Sequence, residues 1–264
     1  MLIKHNIVAL LAFSFMASAT AAEFSIGAGA VYNESPYRGY NDNVHAVPLV
    51  SYESESFYFR QTTLGYILSK SESNEFSITA SYMPLEFDPG DNDDHAMKKL
   101  DKRDATAMAG AAWYHHERWG SVKVSAAADV LDNSNGWVGE VSLFRPMPMG
   151  KLTLTPSIGV LYYDENFNEY YYGISGNESR RSGLSNYSPG DSWTPYVGLS
   201  AKYALTTNLT LLASANYSAL PDDIKNSPMV DRDDSFTFIG LAPIFPYTFY
   251  HLTHYWFAAA DIPV

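Results

Sequence analysis

Four groups of residues in this chain have types and spacings that suggest chemistry. His115-His116-Glu117 sets two imidazoles beside a carboxylate, and His251-x-x-His254 has a ligand spacing that works on a helix. Asp91, Asp93, Asp94 and His95 lie together in an acidic stretch, an arrangement suited to a hydrolytic site at a rim or to weak binding of a divalent cation. The same stretch carries Lys98, Lys99, Lys102 and Arg103, which can pair with those acids or with lipopolysaccharide phosphates. Arg180-Arg181 is a further basic pair within reach of anionic headgroups. No nucleophile elbow and no P-loop accompany them.

Each group also has a plainer reading. Adjacent residues of a strand point to opposite faces, so His115 and His116 cannot share an ion; they read as a polar cluster at a strand end. The acidic stretch reads as a solvated loop, Arg180-Arg181 as a pair that keeps a surface loop soluble, and a lone His pair as weak evidence for a metal. No catalytic residue, metal site or cofactor is expected.

The elements that would position these residues alternate with a period of two. Val122, Val124, Ala126, Ala128 and Val130 stand against Ser121, Lys123, Ser125, Ala127 and Asp129. Trp137, Gly139, Val141 and Leu143 stand against Val138, Glu140, Ser142 and Phe144, and the run from Leu152 to Tyr162 repeats the pattern. This is the signature of strands whose two faces meet different solvents. Runs of about 9–13 residues exceed the roughly 5–6 of a soluble strand and suit a tilted membrane-spanning one. Aromatic residues (20 Tyr, 14 Phe and 5 Trp) fall near strand ends, as at Trp113, Trp137, Tyr162 and Trp193, where a lipid–water girdle would lie.

Residues 1–22 read as a cleaved secretory signal peptide: Lys4, an apolar core from Ile7 to Met16, then small residues with cleavage at Ala21 or Ala22. The full chain has 17 Lys+Arg and 29 Asp+Glu, a net charge of −12. Loss of Lys4 leaves 16 against 29, or −13, which argues against nucleic acid as a partner. There is no Cys, so an exported chain of this kind is not a disulfide scaffold.

Eleven strands are countable, with Phe57–Leu68 taken as one of them, and long polar connections at 88–104, 164–191 and 219–234 alternate with tight turns. That asymmetry, with an even strand number as the rule, predicts an all-β, antiparallel transmembrane barrel of roughly 10–12 strands. Its apolar face would meet lipid. Lys123, Asp129, Glu140 and Lys202 are the candidate lumen-facing polar residues, able to fill a narrow interior or to line a pore.

The segments SIGAGAVYNESPYRGYNDNVHAVPLVSYES, FYFRQTTLGYIL, LTPSIGVLYYDENFNEYYYGIS, RRSGLSNYSPG, WTPYVGLSAKYAL and SPMVDRDDSFTF resemble the MipA/OmpV family of outer-membrane proteins over about residues 24–239. The resemblance implies a non-enzymatic scaffold that holds a lytic transglycosylase, the murein hydrolase MltA, near a bifunctional murein synthase in cell-wall assembly. It also implies insertion by the barrel-assembly machinery among outer-membrane lipid and lipopolysaccharide. A small pore and a rim enzyme are the rival readings.

The likeness breaks at about residue 240. The family ends in an alternating strand with an aromatic last residue, whereas 240–264 reads GLAPIFPYTFYHLTHYWFAAADIPV and ends in Val264. Pro243 and Pro246 remove ladder donors. The segmentation is therefore 1–22 signal peptide, 23–239 barrel and 240–264 an atypical, frame-shifted or replaced tail, with closure of the barrel at stake.

Overall fold

Strands with one apolar face cross hydrocarbon at least cost when their backbone edges are paired, and the chain meets most of that demand by closing on itself. The computed structural model describes residues 22–40 and 44–249. The expected signal peptide up to Ala21, and the tail past 249 with His251 and His254, lie outside the described residues.

The strands are β1 (Ala22–Asn33), β2 (Val44–Glu53), β3 (Phe57–Arg60), β4 (Thr63–Lys70), β5 (Asn74–Met83), β6 (Thr106–Glu117), β7 (Gly120–Asp129), β8 (Trp137–Phe144), β9 (Met147–Met149), β10 (Leu152–Tyr163), β11 (Ser192–Thr206), β12 (Leu209–Ala219) and β13 (Asp234–Phe249). They form one antiparallel sheet in which β13 pairs with β1 and β10 with β11, so the sheet is a closed ring. β8 and β9 occupy one wall position, both pairing with β10, and the ring therefore has twelve members.

The outward set is the one that alternation marked. Ile26, Ile78, Val124, Val141, Ile158, Trp193, Val197 and Tyr217 are all exposed, while Ser77, Ala112 and Ser142 on the opposite phase are buried. At one end the connections are short (54–56, 71–73, 118–119, 150–151 and 207–208), and at the other they are longer, except for the turn between β3 and β4. Three helices lie in the long connections: α1 (Glu165–Tyr172), α2 (Gly176–Ser182) and α3 (Asp222–Lys225).

Two differences from the sequence reading have local causes. The expected strand Phe57–Leu68 is a hairpin, β3 and β4, turning at Gln61 and Thr62, with Gln61 at a φ of 57°. No Gly, Pro, Asn or Asp marks that turn, so it has none of the usual sequence signals; it supplies the twelfth strand.

The second difference is at the C-terminal end of the barrel, where β13 runs ten residues past the expected boundary at 239. Its register against β1 slips by one between Ile239 and Ile244, and against β12 between Ile239 and Ala242. One extra residue there is a β-bulge, and it inverts the phase of the alternation. Phe238 points outward before it; Pro243, Phe245 and Tyr247 point outward after it. Pro243 sits just past the bulge, a place where a sheet accepts proline. Pro246 is opposite Ser25 near the strand's end.

Two lumen-facing tyrosines lie over cross-strand glycines. Tyr58 is opposite Gly65 and Tyr196 opposite Gly159. A Cβ on Gly65 would come within 2.1 Å of the Tyr58 ring, and one on Gly159 within 2.7 Å of Tyr196. Gly65→Val or Gly159→Val should therefore cost about 1–3 kcal/mol by overpacking, whereas Gly139→Ala, where the nearest atom is 3.5 Å away, should be neutral. The check is the temperature at which the unboiled gel mobility of each purified barrel converts to the boiled one.

Candidate functional site in the lumen and outer mouth

Inward positions on β2 to β5 carry a charge network. The Arg60 guanidinium donates to both oxygens of Glu53 (2.5 and 2.9 Å) and, through Nη1, to Glu75 (2.9 Å). Lys70 approaches the other Glu75 oxygen at 3.1 Å. Arg60 also lies 3.9 Å from the centroid of Tyr58 and 5.2 Å from that of Tyr114, a cation–π arrangement. Tyr58 shares a 2.8 Å hydrogen bond with Ser77.

Further round the ring, Lys123 donates to Glu140 at 2.6 Å, and Tyr196 donates to the other Glu140 oxygen at 2.7 Å. Paired charges are tolerable in this low-dielectric interior because each has its counterpart in hydrogen-bond contact. Together these side chains link neighbouring strands along the lumen wall by ionic and hydrogen bonds.

Above them the long connections fold inward into a lid. Tyr37, Phe87, Met97, Leu100, Phe167, Tyr171, Tyr172, Ile174, Ile224, Met229 and Val230 form its buried core, packed on Met83, Val138 and Tyr163 of the wall. Backbone and hydroxyl bonds tie the loops to one another. Tyr37 donates to Tyr171 O (3.1 Å), Tyr171 to Asp104 O (3.0 Å), and Ser227 to Tyr172 O (2.6 Å). Tyr37 and Val230 form an isolated bridge.

At the lid's centre Arg103 and Glu178 form a buried ion pair at 2.7 Å, and Arg103 also donates to Gly173 O. Burial pushes the Glu178 carboxyl up, but hydrogen bonds from the backbone N–H groups of Asp101 and Ser175, from Arg103 and from the Ser175 hydroxyl outweigh it. The net result is a pKa of about 2. Burial raises Tyr37 and Tyr172 well above the ordinary phenol value.

The residues singled out by type end in separate places. On β6, His115 bonds Asn74 on the outer phase beside Trp113, and His116 bonds Ser121 on the inner phase (2.8 Å). Asp94 is committed: Oδ1 accepts from Ala96 and Met97 N–H groups, and Oδ2 pairs with Arg38 at 3.1 Å. His95 is exposed. Among the described residues no group of three or more His, Asp or Glu is placed to hold a metal ion.

The expectation of freely solvated loops at 88–104 and around Arg180-Arg181 is corrected by the packing. Met97, Leu100 and Arg103 are buried, and Arg181 bridges to Asp101 (2.5 Å) and to Lys99 O. Arg103 is therefore closed to lipopolysaccharide, and Lys102 is paired with Asp104 at 2.9 Å. Apolar residues spaced irregularly through charged sequence gave the loops no periodic signal.

Lys123 and Glu140 pair with each other across β7 and β8. Asp129 closes the β7–β8 turn, accepting from Thr106, Leu131 and Ser134. Lys202 is on the lumen phase of β11, exposed near its short-turn end. Ala22 opens β1, opposite Phe249. Arg60, Glu53, Glu75 and Tyr58 were missed, although FYFR places Tyr58 and Arg60 on one phase, as NEFS places Glu75 and Ser77.

The family described as MltA-interacting protein MipA matches residues 26–243. This chain belongs to the MipA family. It is 71% identical over 239 residues to the putative outer membrane protein YiaT of Escherichia coli O157:H7, covering 90% of this chain and 97% of that one. It is 43% identical over 223 residues to the MltA-interacting protein of Escherichia coli strain K12, covering 84% and 90%. Among solved structures, an outer membrane channel from Pseudomonas putida F1 aligns over 86% of this chain and 95% of its own, with a TM-score of 0.43 and 7% identity. Like its named relatives, this MipA-family chain is an outer-membrane protein, and the long-loop lid marks its outer mouth.

Removing Arg103 strands a buried carboxylate, so Arg103→Ala should loosen the lid by roughly 3–5 kcal/mol. Limited proteolysis should then cut at 88–104 and 174–187 in the variant, with the gel mobility shift of the barrel retained. The low Glu178 pKa also sets a pH dependence. A carboxyl depressed in the folded state stabilises fully above its free value of 4.5 and loses that contribution as pH falls towards about 2. Protease resistance of the wild-type lid, assayed with an acid-active protease, should hold at pH 5 and decay between pH 4.5 and 2.

Proposed function

We propose that this chain is a non-enzymatic, non-conducting barrel that anchors a murein hydrolase of the MltA type at the inner face of the outer membrane, near a murein synthase. The observation that carries the reading is the 43% identity, over nearly the whole barrel, to a protein named for interacting with MltA. The geometry supports the negative half of the proposal. Packed loops close the outer mouth, charged side chains on the lumen wall pair with one another, and Asp94 of the acidic loop is consumed by capping and by Arg38.

On this reading the partner meets the short-turn rim, where Glu55, Glu72, Glu117 and Trp119 are exposed. The barrel-assembly machinery inserts the chain, and outer-membrane lipid and lipopolysaccharide surround it. A small pore is the rival reading.

Crosslinked envelopes carrying a tagged copy should yield a lytic transglycosylase on purification, and the pure protein should give no regular conductance steps in planar bilayers. Recovery of no hydrolase, together with clear single-channel steps, overturns the scaffold in favour of the pore.

A further inference from the structure

The barrel wall has a gap on its outer half. β2 has ten residues, but β3 pairs only with Ser51, Tyr52 and Glu53. From Val44 to Val50, among the described residues, β2 has a strand partner in β1 and none on its other side. The β3–β4 hairpin turns back partway up, and its tip is tied to β5 by the Tyr82 N–H donating to Thr62 O at 3.1 Å. Exposed Val44, Leu64 and Tyr82 flank the gap on the lipid side.

Inside the gap the lumen changes character. The charged networks described above lie on β2 to β5, β7 and β8, with Glu53 and, on β11, Lys202 towards the short-turn end. The inward phases of β1, the outer half of β2, and β13 instead carry Gly29, Val31, Val47, Leu49, Ile239 and Ala242. Three of these converge: a Cβ on Gly29 would meet Ala242 at 2.9 Å, Leu49 at 3.6 Å and Ile239 at 3.7 Å. Val31, Val47, Leu49 and Ile239 all keep part of their surface exposed. An apolar lumen patch therefore adjoins the opening, continuous with the lipid-facing surface.

We propose that this gap admits an acyl chain of an outer-leaflet lipid, whose tail lies against Val47, Leu49 and Ile239. An unpaired strand edge is costly against pure hydrocarbon and needs hydrogen-bonding groups beside it. The linkage region of an acylated lipid supplies them as ester or amide carbonyls and hydroxyls, at the depth where its tail begins. Exposed Gln61 and Thr62 at the hairpin tip and exposed His45 on the inner phase of β2 add polar contacts at the same opening. A bilayer lipid fits both halves of the site: polar linkage at the edge, aliphatic tail inside.

The test is photolabelling of the wild-type barrel, folded in vesicles of a phospholipid with a diazirine in its acyl chain, followed by peptide mass spectrometry. Label on Val47, Leu49 or Ile239 is expected, beside that on outward Val141 and Ile158. In a Val47→Trp/Leu49→Trp variant that keeps its gel mobility shift, the inner label should fall at least tenfold while the outer label is unchanged. Label confined to outward residues overturns the proposal. So does inner labelling by a diazirine fatty acid added to plain vesicles when the phospholipid gives none, since the occupant would then be a free acid.

Discussion

Hydrocarbon offers a peptide group no hydrogen-bond partner, and the architecture of this chain follows from that. The ring must close, so the seam between β1 and β13 is as important as any hairpin, and it is made although β13 contains two prolines and a bulge. The bulge absorbs the misfit. One additional residue resets which side chains face lipid, and the strand continues with Phe245 and Tyr247 outward. Where pairing is incomplete, along the outer half of β2, the same rule makes the gap informative.

The closed wall turns the interior into the second problem. Side chains there meet one another at close range, and two solutions coexist. On one side opposite charges pair with good geometry and tyrosines lie flat over glycines. On the other, aliphatic residues line the wall. The lid covers the outer mouth with a core of aromatic side chains drawn from four loops, with a buried arginine–glutamate pair at its centre.

Much of this was legible in the sequence, because a membrane barrel writes its two solvents into alternate residues. The outward sets of β7, β8 and β10 followed from counting by two. What stayed hidden had a physical reason in each case. The Gln61-Thr62 turn lacks any residue that favours left-handed backbone. The bulge in β13 breaks the period on which the method depends, so a continuing strand reads as a lost one. The lid has no period at all: Phe87, Met97, Leu100 and Met229 are apolar residues set singly among charges, and only the fold shows that they meet. The pairs of polar side chains were half visible: Lys123 and Glu140 stood out on the polar face of their strands without being assigned to each other, and Arg60 was overlooked because its strand was read as the start of a longer one.

The contacts between Tyr37 and Val230 have a further meaning for assembly. They join loops next to the first and last strands, nearly the full barrel sequence apart, and contacts of such long range form late in folding. The lid core therefore has no complete set of partners until the seam is made. Before that moment the cell surface would meet several separate apolar loops; afterwards it meets one folded cap. The packed cap is therefore a property of the closed ring and not of any one loop.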